Sequence, residues 1–468
     1  MVIHASALWF TTWLACGLDS EPTTQIDEPD QTSNDTEVAL EEMDPIDLLT
    51  RVSLDLRGVR PSIAEIEAVE ADPEALEASI NAFLYDDAFP EQVRNLFSQV
   101  FLTRQDYFYV TAAMYGLDDE ALYAASVGEE PLQILGHIAA EDLPYTEIVT
   151  ADWSMANEIL GEIWPVDYPE GATGWQPVTY TDGRPMAGIL SSNAMWWRFM
   201  TTTSNSNRGR ANALSKALMC SDYLSKPIDF SRDVNLLDGD SVTDALENNP
   251  GCVACHYSLD PLAAYLWGFY YIDYDSRLDT TYYHPEREHL WQDYTGVAPG
   301  YFGEPGDSLT DLGSQMASDP RIVECAVQHA FELLMQREAA LDDTNSLTKH
   351  REYFLANELT IRALFRTVID SEEYRAGGVD APQAATRKMV SPDVLASQIE
   401  ALTGFRFVFQ NYDMMQTDTY GLRTLAGGFD GSFVTRPAEE PITTLILVQE
   451  RLAQAAAAYV VESDINID

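Results

Sequence analysis

Two cysteines three residues apart, followed at once by a histidine, limit what this chain can fold into more than any other stretch of its 468 residues. The segment reads Asn249-Pro250-Gly251-Cys252-Val253-Ala254-Cys255-His256, and Cys-x-x-Cys-His occurs nowhere else in the chain. Two thiols at this spacing reach the two vinyl groups of a single porphyrin, and the adjacent histidine then lies under the iron. The pattern therefore reads as covalent attachment of one c-type haem, with Cys252 and Cys255 holding the porphyrin and His256 the proximal iron ligand. Three other readings compete. A structural zinc needs four ligands, usually from paired knuckles, and Cys16, Cys220 and Cys325 stand singly and far along the chain. A thiol–disulfide redox pair wants a thioredoxin-like βαβ setting. The flanks here, Asn248-Asn249-Pro250-Gly251 and Ser258-Leu259-Asp260-Pro261, are turn signals instead. A plain disulfide within the pair is the third.

Charge narrows the partners. Acids number 76 against 27 basic residues, a net charge of −49, and Lys216, Lys226, Lys349 and Lys388 are the only lysines. Such a surface repels phosphate backbones and anionic headgroups, which excludes nucleic acid as a partner. A redox partner would carry a basic surface.

Near the start, residues 5–15 form an apolar run too short to span a bilayer, and it reads as the core of an export signal. It ends in Trp13-Leu14-Ala15-Cys16-Gly17, which resembles a bacterial lipoprotein cleavage site and would make Cys16 the lipidated residue. Two features depart from that pattern: no Lys or Arg precedes Arg51, and Trp13 stands where an aliphatic residue is usual. Residues 1–16 are read as leader and 17–44 as an acidic, disordered tether with almost nothing to bury. The expected location is periplasmic or cell-surface. With Cys16 for lipid and Cys252 and Cys255 for haem, Cys220 and Cys325 are left over, and an exported compartment permits a disulfide between them.

Order begins at Asp44-Pro45, a cap and a first-turn proline ahead of Leu48, Leu49, Val52 and Leu56 at helical spacing, with Gly58 as the stop. Ser62 and Glu65 form a capping box for a second helix. Asp72-Pro73 opens a third, and residues 90–100 a fourth. No motif is found from Asp106 to Pro177, and Gly161 to Pro177 reads as loop.

The segment Arg51-Val52-Ser53-Leu54-Asp55-Leu56-Arg57-Gly58-Val59-Arg60-Pro61-Ser62 resembles the opening of planctomycete-type cytochrome c-like proteins. These are large exported proteins built of several domains of unknown function and found also in myxobacteria. A second stretch, from Thr179 to Phe269, is similar to the haem-bearing module of the same family. It carries Met186-Ala187-Gly188-Ile189-Leu190-Ser191-Ser192, then Asn207-Arg208-Gly209-Arg210-Ala211-Asn212, Ala217-Leu218-Met219-Cys220, the Cys/His motif, and Leu259-Asp260-Pro261-Leu262. A histidine often stands in the family where Met186 stands here. His and Met are the usual sixth ligands of such a haem, so the resemblance makes Met186 the candidate distal ligand. Met195, Met200, Met219, Met316, His284, His289 and His329 are rivals, and a five-coordinate iron is the remaining option. Arg208 and Arg210 could pair with haem propionates or form surface salt bridges. Asp260-Pro261 reads as a structural turn.

Residues 275–305 are polar with Gly and Pro and read as loop. Helices are expected from Leu309 to Ser318, after Asp319-Pro320-Arg321, and from Asn357 to Ser371. The family's C-terminal helical domain usually has a cysteine near the position of Cys325, so the resemblance implies a Cys220–Cys325 bridge. His329, on a mixed helix, reads as structural. A last module starts with a helix capped by Ser391. Its Gly-rich loop, Leu425 to Gly431, lacks the Lys-Ser/Thr of a phosphate loop, and an Ala-rich helix runs from Thr443 to Tyr459.

The expected fold is mainly α, in several helical domains: 45–177, 178–300 (a cytochrome c-like haem module), 301–380 and 381–468. The expected role is one-electron transfer, or haem binding that supports an oxidoreductase system, without substrate turnover of its own. The alternative is a tethered cell-surface scaffold in which the motif is a disulfide or holds a metal. A peroxidase-like enzyme would need an open iron position and an acid–base residue, and no sequence feature marks one.

Overall fold

The computed structural model describes residues 40–202, 204–225, 234–235, 237–270, 282–377 and 388–465, with side chains as far as 463. The leader with Cys16, and the tether as far as residue 39, lie outside the described residues. Contacts divide the chain between Ala39 and Leu40. Of the described residues, 59% are helical and 5% are in strands, so the chain is mainly α. No described helix is long and apolar enough to cross a membrane.

Helices α1 (Pro45–Arg57), α2 (Ile63–Ala71), α3 (Ala75–Leu84) and α4 (Phe89–Phe101) open the described chain. Asp44 accepts the Ile46 N–H at 2.9 Å ahead of Pro45, and Gly58 ends α1 at φ 71°, a backbone conformation open to glycine. Ser62 and Glu65 form the capping box of α2. The end of the expected tether is ordered: the Met43 N–H donates to Arg375 O and the Gly377 N–H to Glu41 O, both at 2.8 Å.

Helix α5 (Glu120–Ala140) is 21 residues long and lies in the stretch where no motif was found. Pro131 in its interior removes a backbone bond, a cost of ~3 kcal/mol or more. Burial of Tyr123, Val127, Leu132, Ile134, Leu135 and Ile138 offsets it. Short helices α6 (Glu147–Thr150) and α7 (Glu158–Ile163) flank β1 (Ser154–Ala156), which pairs antiparallel with β2 (Gln176–Val178). The stretch expected as loop thus contains part of a ladder, with Ser154 opposite Val178.

The middle of the chain forms α8 (Asn193–Arg198), α9 (Arg208–Met219), α10 (Gly239–Asn248) and α11 (Pro250–Ala264). The loop expected up to residue 305 holds a 3-10 turn at Pro285–Leu290, then α12 (Trp291–Tyr294) and a hairpin of β3 (Gly300–Tyr301) and β4 (Glu304–Pro305). Helices α13 (Leu309–Ala317), α14 (Pro320–Met335), α15 (Thr344–Ala356), α16 (Ile361–Ile369) and α17 (Glu372–Arg375) follow. The helix expected from Asn357 begins only at Ile361, because Glu358 and Leu359 both sit at φ 57°, outside the right-handed helical region. Last come α18 (Pro392–Thr403), a hairpin of β5 (Val408–Phe409) and β6 (Tyr412–Asp413), and α19 (Thr443–Ile465).

One apolar cluster draws on α1, α3, α4, α5, α9, α11, α13, α14 and α16. Residues from the stretches 45–177, 178–300 and 301–380 therefore share a core. A second cluster gathers Phe108, Tyr123, Trp164, Tyr180 and Trp197. Residues after 388 form their own around Met415, Ala426, Leu445, Val448 and Leu452.

Two covalent or polar ties hold these layers in place. Cys220, at the end of α9, is bonded to Cys325 on α14, with Cα atoms 5.3 Å apart. Glu130 on α5 is fully buried. It accepts bonds from Ser154 Oγ (3.0 Å), Tyr180 Oη (2.7 Å), Ser192 Oγ (2.8 Å) and the Ala194 N–H (3.0 Å). Burial holds its carboxyl above the usual range, although the Ala194, Tyr180 and Ser192 donors pull it part of the way back.

Removing the disulfide in Cys220→Ser/Cys325→Ser should lower stability by about 2–5 kcal/mol, read from guanidinium unfolding. Glu130→Ala leaves several buried donors without an acceptor. It should cost about 3 kcal/mol or more, and Glu130→Gln less.

Candidate functional site

The motif occupies the first two turns of α11. Helix α10 ends at Asn248, and Asn249 alone separates the two helices. Asn249 caps α11 by accepting the Gly251 N–H at 3.0 Å, with Pro250 in the first turn. Cys252, Cys255 and His256 stand at i, i+3 and i+4, which places them on one helix face. All three are half-buried, and both cysteines are free thiols. The second half of α11 is core, with Leu259, Asp260, Leu262, Ala263 and Ala264 buried. The motif thus lies at the rim, and Cys255 packs against the first cluster.

The turn expected at Asp260-Pro261 does not exist, because α11 continues through both residues. Pro261 deprives the carbonyl of Tyr257 of its helical partner, and Tyr257 is exposed, so water can replace that bond. With the helix unbroken, Asp260 lies one turn below His256. The two meet at 2.9 Å between His256 Nδ1 and Asp260 Oδ1. Arg208, in the first turn of α9, grips the same carboxylate with Nε on Oδ1 (2.7 Å) and Nη2 on Oδ2 (2.8 Å). The Asp260 side chain is 9% exposed, against 27% for His256 and 22% for Arg208. Burial pushes the Asp260 carboxyl upward, but the Arg208 and His256 bonds outweigh it and hold it below the usual range.

Arg210 is not at the surface. It is buried, and its guanidinium donates to the carbonyls of Phe199 (2.9 Å), Phe269 (3.1 Å) and Trp196 (3.1 Å). It clamps α8, α9 and the chain after α11, and it also donates to Asn207 Oδ1 at 3.1 Å. One turn after Cys255, Ser258 Oγ meets Tyr223 Oη at 2.8 Å. A Cβ added at Gly300 of β3 would lie 3.6 Å from Pro261 Cβ.

Met186, the candidate distal ligand, is half-buried against the second apolar cluster, whereas Cys255 packs against the first. Among its rivals, Met195 and Met316 are fully buried, Met200 and His289 are exposed, and His284 pairs with Glu286 at 3.0 Å. Met219 Sδ lies 3.0 Å from the Tyr301 hydroxyl, which donates to Asp319 Oδ2 at 2.8 Å. His329 lies beside the disulfide, with Nε2 3.6 Å from Cys220 Sγ, 3.3 Å from Cys325 Sγ and 3.0 Å from Ala217 O. These two sulfurs and the imidazole are close enough to hold a metal, but the sulfurs are bonded to each other. A cavity of about 930 Å³ opens between α1, α4, α9, α14 and the chain from Lys388 onward, and none of Cys252, Cys255, His256 and Met186 lines it.

The donor set fits a c-type haem. Two free thiols lie one turn apart, and the imidazole has its Nδ1 bonded to a carboxylate, so Nε2 is the nitrogen that would be left for iron. Sequence reasoning missed the part played by Asp260. The signal was its four-residue spacing from His256, hidden by the reading of Asp-Pro as a break. The chain matches no protein-family model, no curated protein and no solved structure.

Burial depresses His329, and it does the same to His137 and His350. The unfolded imidazoles take up protons below about pH 6.5, which the folded ones resist. Stability should therefore be complete above that pH and fall as pH drops toward 5. His329→Gln should make the fall shallower, measured as the denaturation midpoint against pH.

Proposed function

We propose that this chain is an exported, one-haem protein of the c type that passes single electrons between partners. The carrying observation is the rim face of α11, which presents two free thiols and an imidazole already oriented through Nδ1. Bound there, haem supplies a one-electron couple. Cys252 and Cys255 would hold the porphyrin through thioether bonds, and His256 Nε2 would be the proximal ligand. Met186 remains the candidate for the opposite side. With haem held by these residues the chain would take up and pass on one electron at a time, chemistry that asks no acid–base residue of it. The likeness to planctomycete-type cytochrome c-like proteins supports the same reading. The Cys220–Cys325 bond supports an oxidising, exported compartment, and Cys16 with its acidic tether would supply a lipid anchor there.

The test is the pyridine haemochrome spectrum of protein made in a host able to attach c-type haem, taken after acid–acetone extraction. A haem band that stays with the protein, and is lost in Cys252→Ser/Cys255→Ser, is the expected result. A colourless protein sinks the proposal and leaves the tethered scaffold, with zinc analysis and thiol counting to follow. Met186→Ala should change the ligand-field bands of the haem protein if Met186 is the sixth ligand, and leave them unchanged otherwise.

The acidic surface gives a second expected outcome. Electron exchange with a basic redox protein should slow as salt rises from 10 mM toward physiological strength, where the screening length contracts from about 30 Å to about 8 Å. Exchange with an acidic partner should be slow at low salt and gain from screening, as stopped-flow rates would show.

A further inference from the structure

We infer that Asp260, backed by Arg208, is a positioning residue that decides which nitrogen of His256 faces the iron and how strongly that nitrogen donates. The inference rests on the haem reading above. Asp260 Oδ1 is shared by two donors, His256 Nδ1 at 2.9 Å and Arg208 Nε at 2.7 Å, while Oδ2 takes Arg208 Nη2 at 2.8 Å. A carboxylate in this position takes the Nδ1 proton as its hydrogen bond, so the Nε2 lone pair is the one left for metal. It also pulls that proton toward itself and gives the ring part of the character of an imidazolate.

A carboxylate in open water would do little of this. This one is 9% exposed, so its charge acts on the ring through a medium of low polarity. Arg208 acts in the opposite sense. Its two bonds draw charge out of the carboxylate, so the strength of donation is a balance between one acid and one base carried on two helices. A plain surface pairing of His256 would not need its acid sunk in the core. A plain fastening of α9 to α11 would be complete with the two Arg208 bonds alone.

Opposed signs give the test. Asp260→Asn removes the negative charge and should raise the midpoint potential of the attached haem. Arg208→Gln leaves the carboxylate stronger and should lower it. Each shift should be about tenfold in the one-electron equilibrium constant, the lower end of what outer partners of metal ligands contribute, or ~59 mV. Asp260→Glu should return part of the wild-type value. The measurement is potentiometric titration followed by visible absorption, with haem content checked first by the haemochrome band.

Mere loosening of the two helices would move both potentials the same way. That result, or two potentials within twofold of wild type in equilibrium constant, overturns the inference while the haem reading stands. A wild-type protein without a haem band overturns both. If Asp260→Asn does not fold, the sign of the Arg208→Gln shift decides alone.

Discussion

A carboxylate taken out of water costs several kcal/mol unless its lone pairs find donors, and the middle of this protein is arranged around two such groups. Glu130 collects donors from β1, Tyr180, Ser192 and the backbone of α8 onto the central helix α5. Those segments come from three separate stretches of chain, and each is placed by having to reach the same acid. Asp260 does the same for α9 and α11 with Arg208 and His256. Hydrophobic burial supplies most of the stability, but it is non-directional. The acids set the register in which the apolar faces meet.

Several helix starts were legible where the cap and the first turn are neighbours in sequence, although the local Asp119 cap of α5 was not read. Asp44, Ser62, Asp319 and Ser391 each cap a helix through their own side chain. These signals are local, and nothing distant has to be known to read them. What else was missed depended on distant parts of the chain. Asp260-Pro261 read as a turn, yet Pro261 lies inside a helix, as Pro131 does in α5. In α5 the helix survives because nearly all of its sides are buried by other segments. The β1–β2 ladder and the Arg210 clamp likewise depend on partners that spacing cannot reveal. Of the site, the two thiols and the histidine were plain in the sequence. Their second layer was not, because the break inferred at Asp260-Pro261 hid a helical spacing.

The same uneven legibility bears on function. Charge is a property of composition, so the net charge of −49 follows from counting residues. Placement at the rim of the core is a property of the fold. Helix α11 is half surface and half core along its own length. That arrangement suits a group that must be held rigidly at one end and approached by a partner at the other. Arg208 is bonded to Asp260, and Arg210 to the backbone carbonyls of Phe199, Phe269 and Trp196 and to the Asn207 side chain.

The bond from Cys220 to Cys325 spans 105 positions of sequence, and the whole Cys/His motif lies between its ends. A single cut of the backbone anywhere from residue 221 to 324 therefore does not release a fragment. The two pieces migrate as one molecule until a reductant is added. In a compartment rich in proteases but poor in thiols, the chain could be nicked beside its motif and still carry that motif, attached through a sulfur bridge where the peptide link had been.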